Sequence, residues 1–526
     1  MKKIYFALLA CSLPLFANAQ EAFDALKMSQ NDLCGTARFQ SMAGAFGALG
    51  GDISTLTQNP AGVGVYRSSD VNVTLALDFN NTKTPNVSNN ETNFSAPSIG
   101  YVGAIKLNSD FMPNLNIGFS YNRQANFKRR YRGYNNGAPT SVTNYIAANT
   151  GNWTPNDLSQ SERDPYYNSN APWISILSYN SYLINENNKR WQGLYGDGTT
   201  AYNEFDVQQE GHNDEYSINL GGNIKNMLYW GVGVGISDFV YDSYQYYGES
   251  LDNAYIANYQ TNDIEIGVAD FGFEHFLHTT GTGYNFKLGL IFKPINELRF
   301  GAAFHTPTYF DMKDCYKSNA SFEMSSSEKN SYYGTNETGE KGFYDEIRYS
   351  FKTPWRFMGS VAAVIGKSAI LSFDYEYVDA PSMRVADDND YEYVETTNNI
   401  KSYLKASSIY RIGAEYRVTP NFSVRAGYSL QKSPVEEAVQ SNSMNVVTVN
   451  TNPIYEFDND IQHITAGFGY HYQSFYCDLA YVHKTQKSQF NAFSPIVYGG
   501  GEIEPNVFSE GKTNTNRVTM TLGFRF

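Results

Sequence analysis

Four arginines are the residues best suited to hold a small ligand. Arg299, Arg411, Arg425 and Arg517 each fall on the polar side of an alternating segment. A guanidinium there can grip a carboxylate in a two-point contact. Lys287, Arg356, Asp374, Glu376, Glu415, Asp478 and Arg525 share those polar sides, so a structural hydrogen-bonded ladder is the competing role. Seven histidines raise a second chemistry, haem capture, which needs an axial His or Tyr. His305, His463 and His471 face as the arginines do, whereas His212, His275 and His278 fall in or near loops. Enzyme chemistry is not expected. The chain has no Gly-x-Ser-x-Gly or His-Glu-x-x-His. Gly44, Gly47, Gly50 and Gly51 are followed by no Gly-Lys-Ser/Thr, so they are not a P-loop. No CxxC or His/Cys zinc spacing occurs, and neither a metal nor another cofactor is expected.

The elements that must position these side chains follow from a period of two. Val518, Met520, Leu522, Phe524 and Phe526 share one face, and Arg517, Thr519, Thr521, Gly523 and Arg525 share the other. The pattern recurs from Val71 to Asn80, Ala369 to Val378, Phe422 to Gln431 and Ile461 to Tyr472, and about fourteen such segments occur. Each is near the ~10 residues that a tilted membrane strand needs. Short connections, such as Asn226 to Met227 and Gln473 to Ser474, alternate with long ones, such as Phe127 to Asp214 and Thr308 to Lys352. That sorting predicts an all-β fold: a transmembrane antiparallel barrel of about 14 strands, with long extracellular loops and both termini periplasmic. The terminal strand should pair with the strand at Val71 and with its own hairpin neighbour.

Composition agrees. Aromatics are 15% and charged residues 17% of the 526 residues, where soluble proteins carry about a quarter charged. The formal net charge of -14 excludes a basic nucleic-acid-binding face. Lys2 and Lys3, the apolar run Ile4 to Phe16 and Ala17-Asn18-Ala19 read as a signal peptide over 1–19. Export then leads to the bacterial outer membrane and contact with its lipid. Cys11 falls in the signal; Cys34, Cys315 and Cys477 allow one disulfide at most.

Residues 20–70 do not alternate. They admit two roles, a periplasmic arm or a plug inside the barrel formed by 71–526. Gly51-Asp52-Ile53-Ser54-Thr55-Leu56-Thr57-Gln58-Asn59-Pro60-Ala61-Gly62, placed before the strand at Val71, resembles the hatch of the FadL/TodX family of outer-membrane transporters for hydrophobic compounds. Arg411-Ile412-Gly413-Ala414-Glu415-Tyr416-Arg417, Pro420-Asn421, Val424-Arg425-Ala426-Gly427-Tyr428 and Ser433-Pro434-Val435 resemble its paired strands and following loop. The likeness is poor in the long loops.

The resemblance implies a hatch-gated barrel rather than an open pore, one that takes up fatty-acid-like or aromatic molecules by passive diffusion with lateral exit. Asn59, Pro60 and Ala61 would form the hatch gate, and an ordinary turn is the competing role. In the third strand, alternation weakens from Arg123 to Asn126. This is either a bulge of the kind that serves lateral exit or the end of the membrane-spanning part. Phe526 resembles the terminal signal read by the barrel assembly machinery, and a monomer is expected. The alternative function is a surface-exposed binding or adhesion protein, or a haem receptor, acting through the long extracellular loops.

Overall fold

The computed structural model describes residues 21–161, 164–258, 261, 263–328, 330–366, 368–497 and 502–526. The expected signal peptide lies outside them. Fourteen wall strands close into one antiparallel barrel. The first three are Asp70–Lys83, Ser88–Lys106 and Asn114–Asn126; the fourth to sixth are Thr200–Ile224, Leu228–Ala257 and Ile264–Phe292. The seventh runs as Leu298–His305 and Tyr309–Ser326, and the eighth as Asp345–Lys352 and Trp355–Ile365. Ala369–Asp379, Ser407–Thr419, Phe422–Gln431, Tyr455–Tyr472, Phe475–Asn491 and Phe508–Arg525 complete the wall. The last strand pairs with the first, Val71 opposite Phe524 and Leu77 opposite Val518, and with its hairpin neighbour, Leu479 opposite Met520. This is the predicted closure.

The two faces of the wall are inverted relative to a soluble sandwich. Val73, Ile99, Ile218, Leu288, Phe373, Ile412 and Leu522 are exposed, while Asn72, Asn116, Asn219, Asp374, Arg425 and Thr519 are buried. Apolar side chains point outward because lipid covers them, and polar ones point into the lumen. Among the described residues, no helix is long and apolar enough to cross a membrane.

Sequence reasoning shortened the strands. The fourth, fifth and sixth have 25, 30 and 29 residues, far more than a membrane requires. Much of the expected loop Asp242 to Gly281 is therefore sheet, and His212, His275 and His278 lie on strands rather than in loops. The segment 127–214 is also largely ordered. It carries four helices, α4 to α7, at Val142–Thr150, Pro155–Leu158, Pro165–Asn168 and Trp173–Asn180. Val142, Ile146 and Leu177 of these helices share a core with Phe205 and Phe490 of the strand extensions and with Phe493 just beyond one of them. Phe205 stacks on Phe490 at 4.2 Å. The result is a cap on the long-loop end.

The segment before the wall lies inside the barrel. It contains α1 (Ala22–Met28), α2 (Ala37–Ser41), α3 (Thr55–Gln58) and a 3-10 turn, Pro60–Val65. Phe526 sits at the short-turn end, where its N–H donates to Ser69 O at 3.0 Å. The helix α1, by contrast, lies within the lumen towards the long-loop end, against Tyr455 and Phe457. Cys34, Cys315 and Cys477 are all free thiols.

Candidate functional site

The lumen has two halves of different chemistry. The short-turn half is polar and filled by the hatch. Asn59 caps the 3-10 turn: its Oδ1 accepts from the Ala61 N–H at 3.1 Å, and its Nδ2 donates to Gly47 O at 2.6 Å. Pro60, with φ preset and no N–H to satisfy, suits the first position of that turn. The turn sits flush on the fifth and sixth strands because those strands carry glycine there. A Cβ on Gly231 would lie 2.2 Å from Pro60 O, and one on Gly289 would lie 2.0 Å from Asn59 Oδ1. Asn59-Pro60-Ala61 is thus a buried wedge beside the short turns.

All four predicted arginines point inward, and each already has partners. Arg299 donates to Leu49 O of the hatch at 2.8 Å. Arg411 bonds Glu376 at 2.7 Å, and Arg356 bonds the same carboxylate at 2.9 Å. Arg425, its side chain 1% exposed, joins Glu415 and Asp478 at 2.6 Å each. Arg38 of α2 reaches Glu415 from the hatch side at 3.0 Å. Arg517 grips Asp78 with two contacts, at 2.6 and 3.1 Å, and donates to Leu33 O at 2.9 Å. Arg299, Arg425 with Arg38, and Arg517 clamp hatch to wall, and Arg517 also borders a cavity. His305 joins the clamp, 2.8 Å from Gln58 O, while His463 meets Ser429 and His471 stacks on Tyr476.

The long-loop half is aromatic. Phe23 of α1 stacks on Tyr455 at 5.3 Å and on Tyr403 at 6.2 Å. Inward-facing Phe239, Tyr241, Phe310 and Phe351 extend the same cluster around the lumen. A water-filled barrel would line this region with polar groups. Two cavities flank α1. One, of about 100 Å³, is bordered by Asp32, Asp78, Phe127, Lys128, Lys484 and Arg517. The other, of about 80 Å³, is bordered by Phe23, Tyr241, His275, Leu277 and Tyr455. Lys27 borders both and is paired with Glu456 at 2.6 Å.

The wall beside the first cavity is broken. The second and third strands pair only as far as Ser98 opposite Asn122. The third strand then shifts register between Arg123 and Ala125, stops at Asn126, and resumes at Arg129–Asn136. The weakened alternation therefore marks a bulge. Beyond Ser98 the ladder gives way to side-chain links: Asn89 Nδ2 of the second strand to Arg130 O at 3.4 Å, and, from the first strand and its turn, Asn80 Nδ2 to Lys128 O at 3.4 Å and Thr84 Oγ1 to Arg132 O at 2.7 Å. The Gln124 carbonyl, displaced by the bulge, accepts instead from the hatch, from Asp32 N–H at 2.6 Å. Phe127 backs the break from inside, 5.4 Å from Phe239 and 5.3 Å from Tyr241. Half-buried Lys128 borders the cavity with no ion-pair partner among the described residues. Phe127, Lys128 and His275 were not singled out from sequence as ligand contacts. The weakened alternation was the one available signal, and it ended one residue short of Phe127.

Comparison with known proteins agrees with this geometry. The chain matches over its length, at 13% identity, the solved structure of a Pseudomonas aeruginosa FadL homologue, covering 95% of this chain and 100% of that one with a TM-score of 0.51. The Pseudomonas putida toluene transporter TodX aligns at 12% identity over 94% and 99%, TM-score 0.46. A CymD monoaromatic hydrocarbon channel aligns at 10% over 94% and 97%, TM-score 0.43. Comparison with curated protein sequences finds no match. The first likeness establishes a FadL-type fold, a fourteen-stranded barrel with its N-terminal segment inside. A family profile described as TonB dependent receptor-like, beta-barrel matches residues 147–430, more than half of the chain, and the protein belongs to that family.

Proposed function

We propose that the protein is an outer-membrane channel that takes up small hydrophobic molecules by passive diffusion. The short-turn end, with Phe526, faces the periplasm, and Phe526 is the mark read by the barrel assembly machinery. The protein acts as a monomer. Cargo reaches the aromatic half of the lumen from the capped end and leaves sideways between the second and third strands. Asn59-Pro60-Ala61 and the arginine clamps, Arg299, Arg411, Arg425 and Arg517, form the closed floor that prevents straight passage. Arg517 and Lys128, at the cavity beside the break, are the groups placed to meet a polar head.

One observation carries this reading: an apolar lumen cluster abuts a stretch where adjacent wall strands lose their ladder, with Phe127 belonging to both. Apolar cargo gains roughly 25 cal/mol per Å² on leaving water for such a lining. An exit into lipid spares it the aqueous periplasm. The test is transfer of labelled hydrophobic probe into proteoliposomes. Phe127→Ala should raise the initial rate by about threefold, since one ring less closes the gap. A wild-type rate equal to that of protein-free vesicles would sink the proposal.

A further inference from the structure

The cavity between α1 and the strand extensions is bordered by three buried polar atoms with no hydrogen-bond partner: Ser243 Oγ and, on two aromatic residues, His275 Nε2 and Tyr455 Oη. Both residues are 5% exposed. Buried polar groups are nearly always satisfied, so an orphan inside a cavity calls for an explanation.

The proton on His275 can be located. Its Nδ1 lies 2.7 Å from Ser318 Oγ, and Ser318 Oγ donates to Thr451 O at 2.9 Å. A hydroxyl has one hydrogen. Ser318 spends it on Thr451 and must accept from Nδ1, so Nδ1 carries the imidazole proton. Burial holds the ring neutral, with its pKa lowered to about 3. Nε2 is therefore a bare lone pair aimed at the cavity, and only a donor satisfies it.

The surroundings exclude an anion. Asp24 and Glu456, the latter ion-paired with Lys27, border the same space. The two bordering ammonium groups are taken, Lys27 by Glu456 and Lys317 by Glu337. The remaining wall is apolar, with Phe23, Leu277 and Ile454 among its members. We propose that this cavity recognises a neutral hydroxyl group on an otherwise apolar molecule, the hydroxyl donating to His275 Nε2 with Tyr455 Oη as its second partner. The cavity of about 80 Å³ takes the hydroxyl end, and the aromatic cluster around Phe23 takes the adjoining methylenes or ring. The assignment rests on the proposed uptake and names the class of cargo.

The test uses the purified full chain in detergent and three probes of equal chain length: 1-dodecanol, dodecanoate and dodecane. Dodecanol should bind about tenfold more tightly than the other two, the worth of one satisfied buried acceptor. His275→Phe should lower dodecanol to the affinity of dodecane and leave dodecane unchanged. His275→Gln, which keeps an acceptor, should restore part of the preference, and Tyr455→Phe should cost about threefold. Migration of unheated samples in SDS gels verifies that each variant forms its barrel. Dodecanoate or dodecane binding as tightly as dodecanol overturns the hydroxyl site, as does a preference that survives His275→Phe in a folded barrel. In both cases uptake itself stands if proteoliposome transfer persists. Failure of all three probes to bind overturns both proposals.

Discussion

The two halves of the lumen share one wall and differ in what dominates their packing, although Lys27 of α1 also pairs with Glu456 at 2.6 Å. At the short-turn end, buried charges meet in closed sets: Arg38 of the hatch with Arg425, Glu415 and Asp478 of the wall, and Arg356, Arg411 and Glu376 within the wall. At the long-loop end, rings stack on rings around α1. A buried charge tolerates almost no displacement, because losing its partner strands the other charge in a low dielectric. Apolar contacts are non-directional and re-form with whatever apolar surface replaces them. On the proposed uptake, the first half would stay shut and the second would exchange one apolar occupant for another. The break in the wall lies where the second kind of packing begins.

Arg425→Met should produce the largest effect. The substitution keeps much of the volume but leaves Glu415 and Asp478 buried without this partner, at a cost of about 3–5 kcal/mol. Urea unfolding of the refolded barrel would show it, and a change below about 1 kcal/mol would mean that the clamp is not what fixes the hatch. Phe23→Ala sharpens the contrast from the other side. It removes the ring stacked on Tyr403 and Tyr455, yet α1 is a local element that can open alone. Amide exchange in Ala25 to Ser29 should accelerate by roughly tenfold to a hundredfold, with the global unfolding free energy changed by under about 1 kcal/mol. Equal global losses in the two variants would erase the distinction between the halves.

The wall was legible in the sequence because lipid on one side and polar lumen on the other impose strict alternation. That is why even the pairing of the last strand with the first followed from an even strand count. Alternation stops being diagnostic where the strands leave the membrane. There Phe271 and Phe273 turn inward beneath the cap and polar Asp270 and Glu274 outward, the reverse of the membrane rule. The inward arginines were also legible, but their partners were not: Asp78 and Arg517 lie at opposite ends of the chain and meet only when the barrel closes. The His275 tautomer depends on Ser318 and Thr451, on other strands and loops, and no spacing announces it.

The smallest effect expected is one of pH, and it separates the halves by titration. Burial raises the Glu21 carboxyl from 4.5 to about 8, with nearby Asp24 and Glu395 adding to the rise and an Asn399 hydrogen bond opposing it. Burial likewise raises Asp24 to about 6, against a hydrogen bond from the Glu21 backbone and the charge of Lys27. A raised acid favours its neutral form in the docked helix. Its contribution is therefore complete below the unfolded pKa and is lost as pH rises through about 6 for Asp24 and about 8 for Glu21. Docking of α1 should weaken between about pH 5 and about pH 9. The Ala61 N–H, held by the non-titrating Asn59 side chain, should keep its protection. Hydrogen exchange corrected for the intrinsic base-catalysed rate measures both segments in one experiment. Glu21→Gln should remove most of the dependence in α1, because the amide stays neutral throughout. If Ala61 and α1 lose protection together, the hatch responds as one body and the floor is not independent of the helix above it.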